Sequence, residues 1–394
     1  MAFLATTTFV FSPFWAFIND KLRSPRLLLS FATVLQGMSF FSFLLIPRYL
    51  GDYTFYFVLL VAFLINCFNA ALYPVTDKLV LSELCDSQTE SNNKHDGKKL
   101  YGRQRLFGTF GDASTKTLMA ILIQGFFYER LFVGVGITMT IFISFILLGF
   151  PNNQNSEKEK TDPEANNKKL GRELDTFEAF KTLLCNKNLQ MFMIISIANG
   201  ISRSIGSHYF DAYVEDPIKG LNGSKLWVSI AGWSSCVCEV FFFLISRNIA
   251  EKFGISRLLL FAQISMLMRM TTHSLNIIGT GNTVNLVLAC FGELFKGISF
   301  GCMMAGGVLV ASKEAPKELQ TTAQGLFSGI YNGLSPAVAG VIGWILLKNS
   351  EGSFLYGYTG CFKIAMLLSI ISVIMAFVLD KKITKHECAS AKTT

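Results

Sequence analysis

Charged residues are scarce in this chain of 394 residues. Only 16% of its residues are Asp, Glu, Lys or Arg, against roughly 25% in soluble domains. In contrast, 51% are hydrophobic and the mean hydropathy is +0.43. Several apolar stretches approach about 20 residues, the length that spans a bilayer core as a helix. The shortage of charge therefore excludes an ordinary soluble domain and predicts an all-α polytopic membrane protein.

The residue patterns that mark most enzymes are also missing. The sequence contains no nucleophile–base set, no metal-binding motif and no phosphate-binding loop, so we expect neither an enzyme nor a bound cofactor. The formal charge of +8 is concentrated in certain loops, which indicates membrane topology and no binding of nucleic acid. No basic segment precedes the first apolar run, so a cleavable signal peptide is not expected.

The nine cysteines do not form a disulfide framework. They lie in predicted spans or in basic loops, and neither setting favours disulfides. We expect unpaired thiols that act as small apolar fillers. The spans contain Cys67, Cys236, Cys238, Cys290, Cys302 and Cys361, and the loops contain Cys85, Cys185 and Cys388.

Two short charged segments, far apart in the chain, match each other position by position. They cover residues 18–29 and 249–260. Each contains an acid followed by a lysine, then an arginine five positions after the lysine and three leucines. A repeat of this kind in a hydrophobic chain predicts two homologous halves. We interpret its charged residues as conformational hinge loops between spans, formed by Asp20, Lys21 and Arg26 in the first segment and by Glu251, Lys252 and Arg257 in the second.

The lengths of the apolar runs predict eleven transmembrane helices. Residues 1–150 form an N-terminal bundle of five helices and residues 189–380 a C-terminal bundle of six. Residues 151–188 form a polar linker, which ends in an amphipathic surface helix or in an extension of the next span. Residues 381–394 form a tail. The predicted spans are Ala2–Ile18, Leu27–Ile46, Thr54–Tyr73, Tyr101–Phe127, Leu131–Phe150, Leu189–Val214, Leu226–Ile245, Leu258–Ile277, Val284–Val310, Ala323–Leu347 and Tyr358–Leu379.

Basic residues are concentrated in alternate loops and so orient the chain. The hinge segments, the loop before the fourth span, the linker and the C-terminal tail are rich in Lys and Arg, which makes them cytoplasmic by the positive-inside rule. The sequence does not indicate which membrane holds the protein. One span precedes the first hinge and two precede the second, so the first half lacks one helix. Either the chain continues upstream, which we favour, or the protein works with eleven spans.

Ionisable residues inside the predicted spans are the strongest functional signal, because each costs roughly 2.5–3.5 kcal/mol at a helix centre. In the first half, Asp112 and Lys116 are one turn apart and can pair, and Asp77 and Arg105 lie on consecutive spans. We interpret these four as substrate-binding residues. The alternative is a set of helix-packing ion pairs or interfacial charges. The second half contains Arg203, His208, Glu239, Arg269, His273, Glu293 and Lys296.

Four residues of the second half are candidates for proton coupling. Glu239 lies in the middle of a span among apolar residues, a setting in which a carboxyl can carry a proton. Glu293 and Lys296 are three positions apart and share one face of their helix. Arg269 lies on the preceding span. A purely structural polar network would also explain these residues. His208 lies near the outer end of its span and is expected to be solvated.

Three parts of the sequence carry a family resemblance. The hinge segments match the acidic–basic loops of the major facilitator superfamily. Residues 67–77 match a fourth-helix segment with a sugar-binding acid, and Tyr101–Gly108 matches the arginine-bearing segment that follows it. The chain thus resembles the lactose permease and nucleoside–proton symporter branch of that superfamily. The resemblance implies two helical bundles around a central cavity, with Asp77 and Arg105 contacting substrate and Arg269 governing proton release.

Four positions depart from the pattern of that branch. Asp112 stands where the branch has a tryptophan that stacks on galactose, so a galactoside substrate is not implied. Glu293 and Lys296 stand in place of a lysine and a histidine, and Ser299 replaces a proton-carrying glutamate. Ionic residues remain on this helix in a different arrangement. The resemblance therefore implies transport without identifying the substrate.

These observations together predict a secondary active transporter. It moves a small polar solute, sugar-, nucleoside- or organic-acid-like, by alternating access, with a proton as the coupling ion and no other cofactor. We expect a monomer whose partners are the solute and the lipid bilayer. The alternative is a transport-inactive protein of the same fold that serves as a sensor, receptor or scaffold. An eleven-span protein would favour that alternative.

Overall fold

Each predicted span other than the fourth coincides with a helix. The computed structural model describes residues 2–22, 25–45, 53–86, 108, 110–111, 114, 129–149, 185–275, 282–315, 320–348 and 357–390. The fourth span lies mostly outside these residues, so the count of eleven remains a prediction. The helices are α1 (Ala2–Leu22), α2 (Pro25–Phe41, followed by a 3-10 turn, Ser42–Leu45), α3 (Thr54–Asp86), α4 (Glu129–Gly149), α5 (Lys187–Glu215), α6 (Lys225–Phe253), α7 (Ile255–Ser274), α8 (Asn282–Glu314), α9 (Gln320–Gly329, a π-helical turn Ile330–Leu334, and Ser335–Lys348) and α10 (Gly357–Ser390).

The outward faces of the helices are apolar, as a lipid environment requires. On α4, Val133, Ile137, Ile141 and Phe145 are exposed and lie four positions apart, so they form one stripe along the helix. A stripe of this kind on several helices marks a surface covered by lipid. Among the described residues, six stretches are long and apolar enough to cross a membrane, namely Pro25–Leu44, Thr54–Thr76, Lys225–Ser246, Thr283–Ala311, Thr322–Lys348 and Gly357–Lys382.

The repeated hinge segments are accompanied by a repeated packing pattern. In the first half, α1 packs on α3, and α2 packs on both α3 and α4. In the second half, α6 packs on α8, and α7 packs on both α8 and α10. The helix before each hinge and the helix after it therefore meet equivalent neighbours, which is the relationship that homologous halves would produce.

The charged hinge residues lie in helices, where the sequence predicted loops. Helix α1 continues through Asp20 and Lys21, and α6 continues through Glu251 and Lys252. In the second repeat only Gly254 separates α6 from α7, with φ +92°. Glycine tolerates this backbone conformation because it has no Cβ. In the second repeat the chain therefore turns at a single residue, and Glu251 and Lys252 lie in the last turn of α6.

The two halves meet where α1 crosses α9. Gly325, Gly329 and Gly333 lie four positions apart on α9 and face α1. A Cβ added to Gly333 would overlap the backbone nitrogen of Phe9, and one added to Gly325 would lie 2.9 Å from the Cβ of Ala16. The glycines thus allow the two helix backbones to approach closely, as small residues do in membrane helix pairs.

The ends of the second half differ from the predicted boundaries in small ways. Asn186 caps α5, because its side-chain oxygen accepts hydrogen bonds from the backbone N–H groups of Asn188 and Leu189 at 3.0 and 3.4 Å. Its amide also donates to the Glu314 carboxylate at the end of α8, 3.2 Å away. Helix α10 continues beyond the predicted last span and through most of the predicted tail, as far as Ser390. The predicted surface helix before Asn186 lies outside the described residues.

The thiols behave as predicted within the described part of the chain. Seven cysteines are free there: Cys67, Cys185, Cys236, Cys238, Cys290, Cys302 and Cys361. Those buried among apolar side chains act as small hydrophobic residues.

Candidate functional site

A cluster of ionisable side chains lies between α7 and α8, which pack together along their length. Arg269 and His273 are four positions apart on α7 and so share one face of it. Glu293 and Lys296 are three positions apart on α8, as the sequence predicted. The facing sides of the two helices therefore bring a carboxylate, a guanidinium, an ammonium and an imidazole together.

Glu293 is the centre of this cluster. Its Oε1 accepts hydrogen bonds from Arg269 Nε at 2.9 Å and Nη2 at 2.6 Å. His273 Nε2 lies 3.1 Å from the same oxygen, and Lys296 Nζ lies 3.0 Å from Oε2. The side chains of Arg269, His273 and Glu293 are at most 1% exposed, whereas that of Lys296 is 33% exposed. Lys296 is thus the member of the cluster that reaches open space.

Small and aromatic neighbours make room for the buried charges. A Cβ on Gly206 of α5 would lie 2.8 Å from Arg269 Nη1, so glycine is needed there for the guanidinium to fit. The rings of Phe210 and Phe362 lie 5.1 and 5.3 Å from the His273 ring. These groups exclude water and leave Glu293 dependent on its own partners. Removing one member of such a buried pair leaves an uncompensated charge.

A second polar group, composed of neutral side chains, lies in the same half. Asn199 Nδ2 donates to Gln263 Oε1 at 2.7 Å, and Ser372 Oγ donates to the same oxygen at 2.7 Å. The Tyr331 hydroxyl donates to Asn199 Oδ1 at 3.2 Å. These buried residues belong to α5, α7, α9 and α10. The network therefore ties together four helices of the C-terminal half.

Glu239, the fourth coupling candidate, occupies a different position. It lies on α6 and is half-buried. A Cβ on Gly297 of α8 would lie 2.7 Å from the backbone nitrogen of Glu239, and one on Gly301 would lie 3.3 Å from the backbone carbonyl oxygen of Glu239. The backbone of Glu239 thus lies at the close crossing of α6 and α8. Gly297, which meets it there, is the residue after Lys296. Its coupling role remains a prediction.

The side chains of the four predicted substrate-binding residues of the first half lie outside the described part of the chain. Asp77 belongs to α3, but the position of its side chain lies outside what the structure describes. Arg105, Asp112 and Lys116 lie outside the described residues altogether. The Asp77–Arg105 and Asp112–Lys116 pairs therefore remain predictions. His208, expected to be solvated, is exposed on α5.

Several polar residues of the C-terminal half were not among the candidates from sequence. His273 was noted as an ionisable residue inside a span but was not assigned to coupling. Its spacing of four from Arg269 was a signal for a shared face. Asn199 and Gln263 were not singled out, although amides within apolar spans commonly bond between membrane helices. Within the described residues, no group of three or more His, Cys, Asp or Glu side chains could hold a metal ion.

Comparisons with known proteins agree with this architecture. The chain is 19% identical over 363 residues to "Uncharacterized transporter YwbF" of Bacillus subtilis, which covers 92% of this chain and 78% of the relative. It is 22% identical over 375 residues to a maltose permease of Geobacillus stearothermophilus, covering 95% and 83%. A crystal structure of the nucleoside transporter NupG superposes with a TM-score of 0.66 at 16% identity, covering 96% of this chain and 90% of that one.

These likenesses are distant in sequence but extend over nearly the whole chain. A crystal structure described as a Major Facilitator Superfamily transporter, FucP, also superposes, with a TM-score of 0.57 at 14% identity, covering 96% of this chain and 88% of that one. The helices therefore have the major-facilitator fold, and the apolar helices make the protein an integral, multi-pass membrane protein. A sequence profile described as "MFS_1 like family" matches residues 1–358. Because the match covers most of the chain, the protein belongs to the MFS_1-like family.

Proposed function

We propose that this protein is a secondary transporter, and not an enzyme, that carries a small polar solute across a membrane by alternating access and couples the movement to protons. Family membership supports the transport class, and the relatives named as permeases or transporters for maltose and nucleosides support a small polar solute. The observation that carries the coupling is the buried carboxylate of Glu293, held by Arg269, His273 and Lys296.

The cluster can respond to a proton because its partners differ in accessibility. Arg269 is fully buried beside Glu293, whereas one-third of the Lys296 side chain is exposed. Two opposite charges 4 Å apart attract by about 4 kcal/mol at an effective dielectric constant of 20. A proton taken up by the Glu293–His273 pair weakens the hold on Lys296, and Lys296 is the partner with space to leave. Asp211 of α5 also lies within electrostatic range of Lys296 and Glu293.

The other predicted residues keep proposed roles in this scheme. Asp77, Arg105, Asp112 and Lys116 bind the solute from the first half, and Glu239 assists coupling at the α6–α8 crossing. The contact of α1 with the glycines of α9 is a surface on which the two halves can rock. The N-terminal bundle comprises residues 1–150, the linker 151–188, the C-terminal bundle 189–380 and the tail 381–394.

The orientation and assembly state are also part of the proposal. The charged ends of α1 and α6, the linker and the C-terminal tail face the cytoplasm, because these segments carry most of the basic residues. The transporter acts as a monomer. Each half contributes residues to one route for the solute.

Reconstitution into liposomes tests the proposal. The full chain would be placed in vesicles containing a pH-sensitive dye, and maltose, uridine or D-glucuronate would be added outside. We expect at least one solute to drive proton entry, and Glu293→Gln to abolish solute-driven proton entry. Glu215→Gln, at the exposed end of α5, should leave it intact. A folded protein that moves none of the solutes would contradict transport and favour a sensor, receptor or scaffold.

A further inference from the structure

Arg203 is an intramembrane cation that the coupling cluster does not use. It lies on α5, nine residues after Ile194, whose side chain is 49% exposed. Nine residues correspond to about two and a half helical turns, so Arg203 points to the opposite, inner face. Phe300 of α8 lies nine residues after Phe291, which is 50% exposed, and it also faces inward. The two helices therefore present Arg203 and Phe300 to the same interior region.

Aromatic and amide groups hold the Arg203 guanidinium in place. Its Cζ lies 4.5 Å from the centroid of the Tyr331 ring and 5.6 Å from that of Phe300, distances at which a cation is attracted by a ring face. Nη2 donates to Asn332 Oδ1 at 3.2 Å and to the Tyr331 carbonyl at 3.4 Å. Each of these partners is electrically neutral.

The π-helical turn of α9 explains how the Tyr331 carbonyl becomes available. The N–H of Ser335 bonds to Ile330, five residues earlier, and the next residue, Pro336, has no N–H to offer the Tyr331 carbonyl. Turns of this kind are frequent at functional sites. A Cβ on Gly200 would lie 2.5 Å from Ser335 Oγ, so glycine lets α5 approach the turn. Arg203, almost one helical turn further on, then reaches the freed carbonyl.

The charge of Arg203 is not balanced within the described part of the chain. No ion pair to Arg203 occurs among those residues, and its Nε is buried without a hydrogen-bond partner. Lys296 lies on α8, one turn before Phe300, and is a second positively charged residue in this region. Arg269 and Lys296 are both paired with Glu293, at 2.6 and 3.0 Å. Of these three cations, Arg203 is therefore the one without a counter-charge among the described residues, and it keeps an unused donor at Nε. A guanidinium with free donors binds a planar carboxylate through two parallel hydrogen bonds.

We propose that Arg203 recognises a carboxylate on the transported solute, with Tyr331 and Phe300 flanking the bound acid, so that the protein selects organic acids over neutral analogues. The proposal rests on the transport function proposed above and narrows its solute class. Arg203 is then a specificity residue, oriented by Asn332 and by the π-helical turn. The solute's carboxylate supplies the negative charge that Arg203 otherwise lacks among the described residues.

Thermal unfolding of the purified full chain with matched solutes tests this inference. The probes are three pairs that differ in a carboxylate: D-glucuronate and D-glucose, nicotinate and nicotinamide, and lactate and 1,2-propanediol. A thiol-reactive dye reports unfolding through buried cysteines such as Cys302 and Cys361. A ligand that binds the folded state raises Tm, so we expect at least one acid to raise Tm and its neutral partner to leave it unchanged.

Variants of Arg203 distinguish recognition from a structural role. Arg203→Gln should abolish the acid-induced rise in Tm, and Arg203→Lys should weaken acid binding about tenfold or more, since it retains charge but loses the paired donors. Asn332→Ala, which retains the charge, should weaken binding by releasing the guanidinium. Lys225→Gln, at the exposed start of α6, is the matched control and should retain the full rise. If Arg203 only stabilises the fold, its variants lower Tm without changing the rise.

The outcomes separate this inference from the proposed transport. Equal stabilisation by acid and neutral members of the pairs, or by none of the acids, would overturn carboxylate recognition. An undiminished rise in Arg203→Gln would overturn it as well. If the protein transports a neutral solute and Arg203→Gln does not change that flux, carboxylate recognition is overturned but the transport function is retained. Acid binding that depends on Arg203 but produces no flux would retain the binding site and overturn transport.

Discussion

Arg26 and Arg257 hold equivalent positions in the two repeats, and each contacts the helix that closes its own half. The Arg26 guanidinium donates to the backbone carbonyl of Leu147 in α4, and Arg257 Nε lies 3.9 Å from Asp380 Oδ2 in α10. Because α4 and α10 occupy equivalent places in the two packing patterns, the repeat extends from sequence to tertiary contacts. The helix that follows each charged segment is thereby fastened to the last helix of its half.

In the second repeat, removing Asp380 should cost more stability than removing Arg257. Asp380 also accepts a hydrogen bond of 2.5 Å from Ser256 Oγ, whereas Arg257 is 53% exposed. Exposed ion pairs contribute about 0–1 kcal/mol, and loss of hydrogen bonds to a charged group costs about 1.5–3 kcal/mol. We expect Asp380→Ala to lower the free energy of unfolding by the larger amount, measured by SDS-induced unfolding. A greater loss for Arg257→Gln would contradict this assignment.

The Arg269–Glu293 pair should show strong coupling in a double-mutant cycle. Glu293→Gln leaves Arg269 buried without a counter-charge and should destabilise the protein by about 3–5 kcal/mol. Arg269→Gln leaves the carboxylate with only His273 and Lys296. In the double variant neither member of the pair is left as an uncompensated charge. Its loss of unfolding free energy should therefore be smaller than the sum of the losses in the two single variants. Additive losses in the same unfolding assay would show that the pair does not act as a unit.

Lys296 provides the comparison within the same cluster. Its side chain is 33% exposed, and in Lys296→Gln the carboxylate of Glu293 keeps Arg269 as its partner. The cost in free energy of unfolding should therefore be smaller. We expect its effect on unfolding to be well below that of Glu293→Gln. In proteoliposomes the same substitution should nevertheless alter the pH dependence of flux, because Lys296 is the partner that a proton displaces in the proposed mechanism.

The close approach of α1 and α9 should make Gly333 intolerant of a side chain. Its added Cβ would overlap the backbone nitrogen of Phe9, and a backbone atom cannot move aside by changing rotamer. We expect Gly333→Val to lower the free energy of unfolding by about 1–3 kcal/mol through overpacking. Gly232→Val on α6 is the matched control, because nothing lies within 4 Å of its added Cβ. Equal effects of the two substitutions would argue against the crossing.

A compensating pair sharpens this prediction. The Cβ added to Gly325 would lie 2.9 Å from the Cβ of Ala16, a contact between two side chains. Gly325→Ala should therefore be partly rescued by Ala16→Gly, whereas the Gly333 variant meets backbone and has no such rescue. Rescue in the double variant, measured as recovery of Tm, would place the two residues at one interface.

Much of the helical architecture could be predicted, because the thickness of the bilayer sets the length of the apolar run that each spanning helix needs. The Glu293–Lys296 contact was also predictable, since residues three apart share a helix face. The Arg269–Glu293 contact joins different helices, and spacing along the chain does not specify which faces meet. The same holds for Arg203 and Tyr331, whose contact depends on a π-helical turn. Tertiary packing, which a single sequence encodes only indirectly, determined the parts that could not be predicted.

The hinge residues illustrate a different limit. Charge and polarity made loops of Glu251 and Lys252 in the prediction, yet both lie in the last turn of α6. Polar residues at a membrane surface are as compatible with a helix end as with a loop, and basic residues there interact favourably with the helix dipole. In this second segment it is Gly254 whose backbone conformation ends the helix, because its φ is +92°.

The loop between α5 and α6 should confer a pH-dependent stability through Asp216. The backbone N–H groups of Lys219 and Ile218 each donate to its Oδ1 at 2.9 Å, and these hydrogen bonds lower the pKa of the carboxyl in the folded protein. The Tyr358 hydroxyl lies 3.4 Å from Oδ2 and connects the loop to α10. The ionised carboxylate is therefore the form that fastens this loop.

The pKa of Asp216 is lower in the folded protein than in the unfolded chain. The ionised carboxylate therefore stabilises the protein at pH values above the pKa of the unfolded chain. That contribution declines as the pH falls through the folded pKa, where the native carboxylate takes up a proton. Asp216→Asn retains an acceptor oxygen but has no charge, so it should be less stable than the native protein at pH 7. The difference in Tm should shrink below about pH 4, the ordinary range of an aspartate. Glu215→Gln, one residue earlier and exposed, should show no such convergence, and a constant difference for Asp216→Asn between pH 7 and the acid range would rule out the charge as its cause.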